Sequence, residues 1–477
     1  MENRKTVSSG VFWSTIERFA SQGVQFIFSF IIARILTPED YGLVAMFSIF
    51  VAVSQCLVDS GFSNALIQKK DRNEVDFSTA FFFNIFCAIL IYVILCISAP
   101  CIASFYNQPL LEDIIYVSGL VIVIQSLTIV QLVKISINLE FKKQAIASLI
   151  SVMISGVVAF YMAKTGYGVW ALVWQTLINS IINCVLLWII FKWYPRYFFS
   201  YESFKKLFGF GYKLSIGGLI HQIYTNVYSL IIGKVYTKTE LGLFNRANSL
   251  TQYPSTNIAY VLLRVFYPVE CELQDEDIKL TEAYFKYIRL STFIVAPLML
   301  GIAAIAHPLI DVILTSKWLG SVPYIQILCI AYLWEPIMMI TWSILNAKHR
   351  SDLSLKTEIY KKVVAFVILF ASIPFGVKIM CFGLFVYSIS DIMIISQYTK
   401  NILPELTFFK IMKNILPILG CAVLMALLVL LVNSCIHSSI IKLVVGIFVG
   451  CISYFSLCKL FKLEESYIFY SKIKSLL

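Results

Sequence analysis

Seven ionisable residues lie inside long apolar stretches of this 477-residue chain, where no water is available to solvate a charge. They are Glu17, Arg18, Lys134, His221, Arg264, Glu335 and Asp391. A charged side chain at the centre of a membrane helix costs from about 2.5 kcal/mol upward unless it faces a cavity or a partner. Such groups therefore mark candidate binding sites, ion pathways or buried ion pairs.

Arg18 begins a polar stripe on the first predicted helix. Gln22 and Gln25 follow it at i+4 and i+7, so the three side chains share one helix face. An anion suits this face, because Arg presents paired donors to phosphate oxygens. The alternative interpretation is that Glu17 and Arg18 lie in the headgroup zone at the start of the helix.

The other embedded residues also allow two interpretations each. Lys134 and Arg264 either add positive potential to a cavity or extend to the nearby headgroups. His221 is either a proton carrier or a hydrogen-bonded core residue, and Asp391 is either a protonated core carboxyl or a paired functional group. We predict substrate binding by Arg18, Gln22, Gln25, Lys134 and Arg264, and ion coupling by Asp391, Glu335 and His221. Embedded cations suit an anion such as a lipid diphosphate.

The composition places these residues in membrane helices. Hydrophobic residues make up 59% of the chain and charged residues only 14%, with a mean hydropathy of +0.82, whereas soluble proteins carry roughly 25% charged residues. The apolar residues form blocks of about 20, the length that crosses a bilayer as a helix. The sequence therefore excludes a soluble enzyme and predicts an all-α polytopic membrane protein.

Helix breakers divide the chain into about fourteen predicted transmembrane helices. They cover residues 11–36, 43–67, 77–103, 114–137, 146–163, 168–191, 214–236, 250–266, 288–314, 324–345, 363–377, 379–399, 411–432 and 440–461.

Loop charge predicts the orientation of these helices. Of the 38 Lys and Arg residues, 27 fall on one face and eight on the other. Basic residues resist translocation, so the first face and both termini are expected to be cytoplasmic. The net charge of +11 is then a topology signal, and no nucleic-acid partner is predicted.

An internal repeat relates the two halves of the chain. Residues 31–37 align with 231–237, and Gly42-Leu43 align with Gly242-Leu243. Six helices separate the copies, so both have the same orientation and the repeats are parallel. The alignment pairs Arg34 with Lys234 at the outer ends of their helices, either as interfacial anchors or as functional cations.

The repeat predicts two lobes and an appendix. The predicted domains are an N-terminal lobe of six helices, a cytoplasmic connector, a C-terminal lobe of six helices, and a final pair of helices with a tail. They span 1–191, 192–213, 214–400 and 401–477.

Enzymatic motifs are scarce. No Gly-x-x-x-x-Gly-Lys-Ser/Thr phosphate loop occurs, and the 12 Cys residues are scattered singly without a Cys-x-x-Cys pair, so neither a cofactor nor a metal site is predicted. The run 275–277 of three acidic residues imitates a glycosyltransferase site but is expected to be a solvated loop. We predict a protein that is not an enzyme.

Three segments resemble a known family. The opening Gly10-Val11-Phe12-Trp13, the stretch from Ala33 to Gly42 and the stretch from Gly166 to Leu172 are similar to the bacterial polysaccharide flippases of the multidrug/oligosaccharidyl-lipid/polysaccharide exporter superfamily. The resemblance implies a multi-pass protein of the bacterial inner membrane that moves undecaprenyl-diphosphate-linked oligosaccharides from the inner to the outer leaflet by alternating access. The lipid-linked oligosaccharide, membrane lipids and a downstream polysaccharide polymerase are its expected partners.

The sequence also allows two alternative functions. A drug or cation antiporter of the same superfamily would present an acidic, aromatic cavity and lack two helices. A scaffold or regulator without transport is the other.

Overall fold

The computed structural model describes residues 20–59, 61–69, 71–196 and 199–466, and no β-strand occurs among them. The chain is a series of helices, most of them long and apolar. The prediction of an all-α polytopic membrane protein is confirmed.

The described residues form eighteen α-helices, numbered in chain order. They are α1 (Ala20–Ile35), α2 (Pro38–Asp59), α3 (Phe62–Gln68), α4 (Glu74–Tyr106), α5 (Leu110–Ser126), α6 (Ile129–Asn138), α7 (Phe141–Lys164), α8 (Trp170–Phe191), α9 (Tyr201–Val235), α10 (Lys238–Glu272), α11 (Asp277–Ala304), α12 (Ala306–Leu314), α13 (Val322–Tyr332), α14 (Glu335–Ala347), α15 (Ser351–Ser372), α16 (Val377–Thr399), α17 (Phe408–Ser434) and α18 (Ser439–Leu460). A 3-10 turn, Ser316–Ser321, precedes α13.

Among the described residues, the fourteen predicted spans correspond to fourteen helical stretches, four of which are interrupted. The interrupted stretches are α2–α3, α5–α6, α11–α12 and α13–α14, and the axis bends by 41° between α5 and α6. Within the described ranges, nine stretches are long and apolar enough to cross a membrane, and α5–α6 taken together would be a tenth. Non-helical backbone at membrane depth is tolerated where protein or a cavity surrounds it.

Four helices begin well before their predicted starts at residues 214, 250, 288 and 363. They are α9, α10, α11 and α15. Their first turns carry charged residues, which hydropathy assigns to loops, but a helix needs only backbone hydrogen bonds and can place charges on one face. The predicted connector 192–213 is therefore partly helical, and Lys361 is a helix residue instead of a loop residue.

Tertiary contacts divide the chain into two compact units, Met1–Gly242 and Leu243–Leu477. The predicted boundaries of the repeat lobes are different and stay a prediction.

In the first unit, α7 packs on α8, α4 on α5, and α2 on α9. Phe62, Phe81, Trp193 and Leu207 are buried in one of its apolar clusters. Lipid tails are as apolar as these side chains, so the helices associate through close packing and polar contacts instead of exclusion from water.

In the first unit, the two copies of the repeated segment contact each other. Thr37 accepts a hydrogen bond from the backbone of Asp40 (3.4 Å) and Thr237 one from that of Glu240 (3.1 Å), so the shared Thr caps a helix in both copies. A Cβ added at Gly42 would overlap the carbonyl oxygen of Lys238, and one added at Gly242 would overlap that of Pro38. We call this contact the glycine crossing.

In the second unit, α11 packs on α17, α15 on α16, and α17 on α18. Tyr284 and Thr341 share a 2.8 Å hydrogen bond in a core that also contains Phe266 and Ile340.

The last helix has one narrow packing face. The buried residues of α18 are Gly446, Gly450, Tyr454 and Cys458, spaced every fourth position. Tyr454 donates a 2.9 Å hydrogen bond to the carbonyl oxygen of Phe293 on α11. Only 11% of the most apolar segment of α18 is buried. Most of this helix is therefore left to face lipid.

Candidate functional site

The predicted substrate-binding residues fall into three groups in the structure. Arg18 lies outside the described residues. Gln22 and Gln25 are exposed on α1, and Arg264 is exposed on α10. Lys134 differs from them, because it is half-buried in the first unit.

Lys134 lies on α6 and is held by an acid and two aromatic rings. Its Nζ is 2.8 Å from Oε1 of Glu74, the first residue of α4. The same ammonium group lies 4.4 Å from the ring centroid of Phe77 and 5.1 Å from that of Trp193. The indole of Trp193 donates a 2.7 Å hydrogen bond to the other oxygen of Glu74.

This arrangement compensates the charge of Lys134 locally. An ammonium group between a carboxylate and two ring faces contributes less positive potential to its surroundings than an unpaired one. Of the two described cations that were predicted to bind substrate, Lys134 is half-buried and Arg264 is exposed. Sequence reasoning did not assign Glu74 or Trp193 to the surroundings of Lys134, because both are distant from it along the chain.

The repeat-related basic pair is not equivalent in the structure. Lys234 donates a 2.6 Å hydrogen bond to the carbonyl oxygen of Phe105 and lies 4.4 Å from the centroid of its ring. Phe105 belongs to the last turn of α4, so Lys234 satisfies a carbonyl at a helix C-terminus, where a cation is favourable. Arg34 is exposed.

The second unit contains a cluster of charged residues on α15 and α16, which is buried at Lys361 and Asp391 and partly exposed at Glu358. Lys361 Nζ is 2.8 Å from Oε1 of Glu358 and 3.3 Å from Oδ2 of Asp391. The exposed fraction of the side chain is 8% for Lys361 and 5% for Asp391. Tyr387 donates a 3.1 Å hydrogen bond to Asp391 Oδ2, while Asp391 Oδ1 is buried without a partner among the described residues. We call these four residues the ionic cluster.

Glu335 adds a further carboxylate near the ionic cluster. It is the first residue of α14, where the span formed by α13 and α14 is interrupted, and a carboxylate is favourable at a helix N-terminus. Its charge interacts with those of Asp391, Lys361 and Lys362. The structure thus brings together Glu335 and Asp391, both predicted for ion coupling. An excess of carboxylates over cations in a low-dielectric site favours uptake of a proton or a cation.

Sequence reasoning missed Lys361, Glu358 and Tyr387. Hydropathy placed Lys361 and Glu358 in a loop, and the start of α15 at Ser351 places them on a helix instead. The i,i+3 spacing of Glu358 and Lys361 and the i,i+4 spacing of Tyr387 and Asp391 were available signals.

His221 was predicted to take part in ion coupling. Its side chain lies outside the described part of the chain. In the described ranges no group of three or more His, Cys, Asp or Glu side chains is placed to hold a metal ion.

Together the interrupted spans and the buried ionic cluster define a polytopic helical membrane protein with ionisable residues inside its helices. The profile of the Polysaccharide biosynthesis protein family matches residues 31–323, and the chain belongs to this family.

Three relatives are similar over most of their length. The teichuronic acid biosynthesis protein TuaB of Bacillus subtilis is 24% identical over 73% of this chain and 73% of its own. The lipopolysaccharide biosynthesis protein WzxC of Escherichia coli is 23% identical over 76% and 74%. The succinoglycan biosynthesis transport protein ExoT of Rhizobium meliloti is 23% identical over 69% and 67%.

Two solved structures share the fold. The lipid II flippase MurJ, in an inward closed conformation, superposes with a TM-score of 0.77 at 14% identity and covers 94% of this chain and 98% of its own. A multidrug resistance MATE family transporter in an inward-facing conformation reaches a TM-score of 0.61 at 12% identity, covering 83% and 98%.

Proposed function

We propose that this protein moves a lipid-linked oligosaccharide across the bacterial cytoplasmic membrane for the synthesis of a surface polysaccharide. The substrate is an undecaprenyl diphosphate that carries an oligosaccharide repeat unit, transferred from the inner to the outer leaflet by alternating access. The observation that carries this proposal is family membership combined with a flippase-type fold over 94% of the chain.

The relatives support the proposed pathway. Their names assign them to the synthesis of teichuronic acid, lipopolysaccharide and succinoglycan, and one is named a transport protein. These polymers differ, so the common element is the translocation step and not a particular sugar. A polysaccharide polymerase that consumes the translocated lipid is a further proposed partner.

A drug antiporter is the alternative function, because a MATE family transporter has the same fold, although its structure covers a smaller part of this chain than that of MurJ. A direct test reconstitutes the full chain in liposomes whose membrane holds fluorescent lipid-linked oligosaccharide, and measures its transfer between leaflets with a membrane-impermeant quencher. Parallel vesicles loaded with a cationic dye report drug efflux. Transfer of the lipid without dye efflux supports the proposal, and dye efflux alone contradicts it.

The charge bias of the loops supports the proposed orientation of the protein in the membrane. Both termini are proposed to be cytoplasmic, because 27 Lys and Arg residues share their face. An inside-negative membrane potential then assists outward movement of a diphosphate by about 2.3 kcal/mol per charge per 100 mV.

Arg18 is proposed to bind the diphosphate together with Lys134 and Arg264. Arg18→Gln is expected to lower the rate of lipid transfer roughly tenfold or more, since it removes a charge-assisted, paired donor. Arg18→Lys retains the charge but loses the paired geometry and is expected to keep part of the activity. Lys164→Gln, at an exposed position of α7, is the control. Wild-type transfer by Arg18→Ala at normal protein amounts would contradict this role.

Asp391 is proposed to couple transfer to an ion gradient. In proteoliposomes, a potential alone is expected to accelerate transfer by the wild type, and a proton or sodium gradient is expected to add to it. Asp391→Asn should remove only the part that responds to the gradient, since it removes a titratable carboxylate from the ionic cluster.

Asp352→Asn is the control for this variant, because it removes an exposed acid on α15 that pairs with Arg350. If neither potential nor either gradient changes the rate of the wild type, the protein equilibrates its substrate and the coupling role of Asp391 is wrong.

A further inference from the structure

The first unit contains an open polar cavity of about 310 Å³ lined by residues of α2, α3, α5, α6 and α8. It lies where two spans are interrupted together, between α2 and α3 and between α5 and α6. A water molecule occupies about 30 Å³, so the cavity is much larger than a single ion or water needs. Its volume lies at the lower end of the range for small-molecule sites.

The polar lining comes from facing helices. Gln55 and Asp59 on α2 lie at i and i+4, and so do Asn179 and Asn183 on α8, so each pair occupies one helix face. Gln125 lies at the end of α5 between them.

Part of this lining is already connected. Gln55 Nε2 donates a 2.7 Å hydrogen bond to Gln125 Oε1, and Gln125 Nε2 donates one of 3.3 Å to Ser180 Oγ. Ser63 donates to Asp59 Oδ1 through both its backbone nitrogen (3.2 Å) and its hydroxyl (2.5 Å). These bonds fix the positions of the side chains before any ligand enters.

Unsatisfied hydrogen-bonding capacity remains at the cavity. Asn179 Oδ1 is buried and has no partner among the described residues. A buried carbonyl oxygen without a partner is costly, and a ligand that donates a hydrogen bond removes that cost. Asn179 and Asn183 can each donate as well as accept.

The charges of the lining indicate which ligand fits. Among the described residues that line the cavity there is an acid, Asp59, but no Lys, Arg or aromatic residue. A diphosphate would be repelled by Asp59 and would find no cation, and an aromatic drug cation would find no ring to stack on. Amide, hydroxyl and carboxylate groups in alternation suit a neutral molecule with many hydroxyl groups.

We propose that this cavity binds a neutral sugar of the oligosaccharide while the diphosphate is held elsewhere, so that the first unit recognises the glycan of the cargo. This inference rests on the proposed function and adds a residue-level assignment of Gln55, Asp59, Gln125, Asn179 and Asn183. Sugar hydroxyls would donate to Asn179 Oδ1 and Asp59 and accept from the amide groups of Asn179 and Asn183.

The test compares lipids with and without a sugar. The purified full chain is titrated with undecaprenyl diphosphate and with the same lipid bearing one residue of glucose, galactose or N-acetylglucosamine. At least one sugar-bearing lipid is expected to bind about tenfold more tightly than the bare lipid, as two added hydrogen bonds would give. Asn179→Leu and Asn183→Leu should abolish this difference and leave binding of the bare lipid unchanged.

The matched control is Asn84→Leu, which removes a buried amide from α4 of the same unit outside the cavity. This variant should keep the wild-type preference for the sugar-bearing lipid. That result would show that losing a buried amide elsewhere in the unit does not abolish the preference. If the wild type binds bare and sugar-bearing lipids equally, the sugar site is wrong although the proposed function stands. If it binds none of them, the proposed function itself fails. If the Asn179 and Asn183 variants lose only a response to sodium or protons, the cavity is a cation site and the inference is overturned.

Discussion

Replacing Gly42 by alanine is expected to destabilise the protein by about 3 kcal/mol or more. The added methyl group would overlap the backbone oxygen of Lys238, which cannot move aside as a flexible side chain can. Gly242→Ala is expected to have a comparable effect, because its methyl group would overlap the backbone of Pro38. The measurement is the unfolding temperature in detergent together with the amount of folded protein recovered.

Gly217→Ala is the matched control for the glycine crossing. Gly217 lies on α9 in the same unit, and none of the described atoms that surround it comes within 4 Å of an added Cβ. Alanine is the better helix former, so this variant is expected to equal or slightly exceed the stability of the wild type. An unchanged unfolding temperature for Gly42→Ala would contradict the close approach at the crossing.

Replacing Lys361 by methionine is expected to lower the free energy of unfolding by roughly 3–5 kcal/mol, the cost of leaving one partner of a buried ion pair alone. The variant leaves Asp391 buried with Tyr387 as its hydrogen-bond donor and removes the cation that neutralises it. Denaturation of the purified protein at neutral pH measures the effect.

The double variant Lys361→Met/Asp391→Leu distinguishes a buried pair from a loss of packing. It removes both charges, so it should recover most of the stability lost in the single variant. Lys356→Met, at an exposed position of the same helix, should change stability little. Equal losses in the single and double variants would show that the ion pair is not what stabilises α15 against α16.

The helical architecture could be predicted from sequence because membrane spans are recognisable by their length and hydropathy. The starts of α9 and α15 could not be found this way, since their first turns are polar and hydropathy gives no signal for an amphipathic extension. The break after Asp59 was missed for a different reason: the short run 59–61 of Asp, Ser and Gly lies between largely apolar stretches, and hydropathy averaged over about 20 residues does not register it.

The glycine crossing shows how a sequence repeat can be noticed before its cause is known. The shared Thr, Gly and Leu of residues 37–43 and 237–243 were visible in the sequence. Their physical reasons are a helix cap at the Thr and a backbone contact at the Gly, and only the fold shows that each copy packs against the other.

The candidate site was predictable in part. An acid inside an apolar helix indicates that a partner exists, and Asp391 and Glu335 were selected on that basis. The identity of the partner depends on which face of α15 meets α16, and a single sequence contains no record of that pairing. Lys134 illustrates the same limit, because its partners Glu74 and Trp193 are far from it along the chain.

The narrow packing face of α18 has a consequence for how this region changes over evolutionary time. Positions that face lipid are selected only for being apolar, so Leu, Ile, Val and Phe can replace one another there with little effect. The stripe at Gly446, Gly450, Tyr454 and Cys458 must retain its size and shape to contact its neighbours.

Sequence drift along α18 should therefore be fast on three sides and slow on one. Across homologous chains, alignments of this helix are expected to lose recognisable identity while keeping small or buried residues at every fourth position. In a saturation library of α18 selected for surface polysaccharide, substitutions are expected to be depleted at every fourth position and tolerated between them.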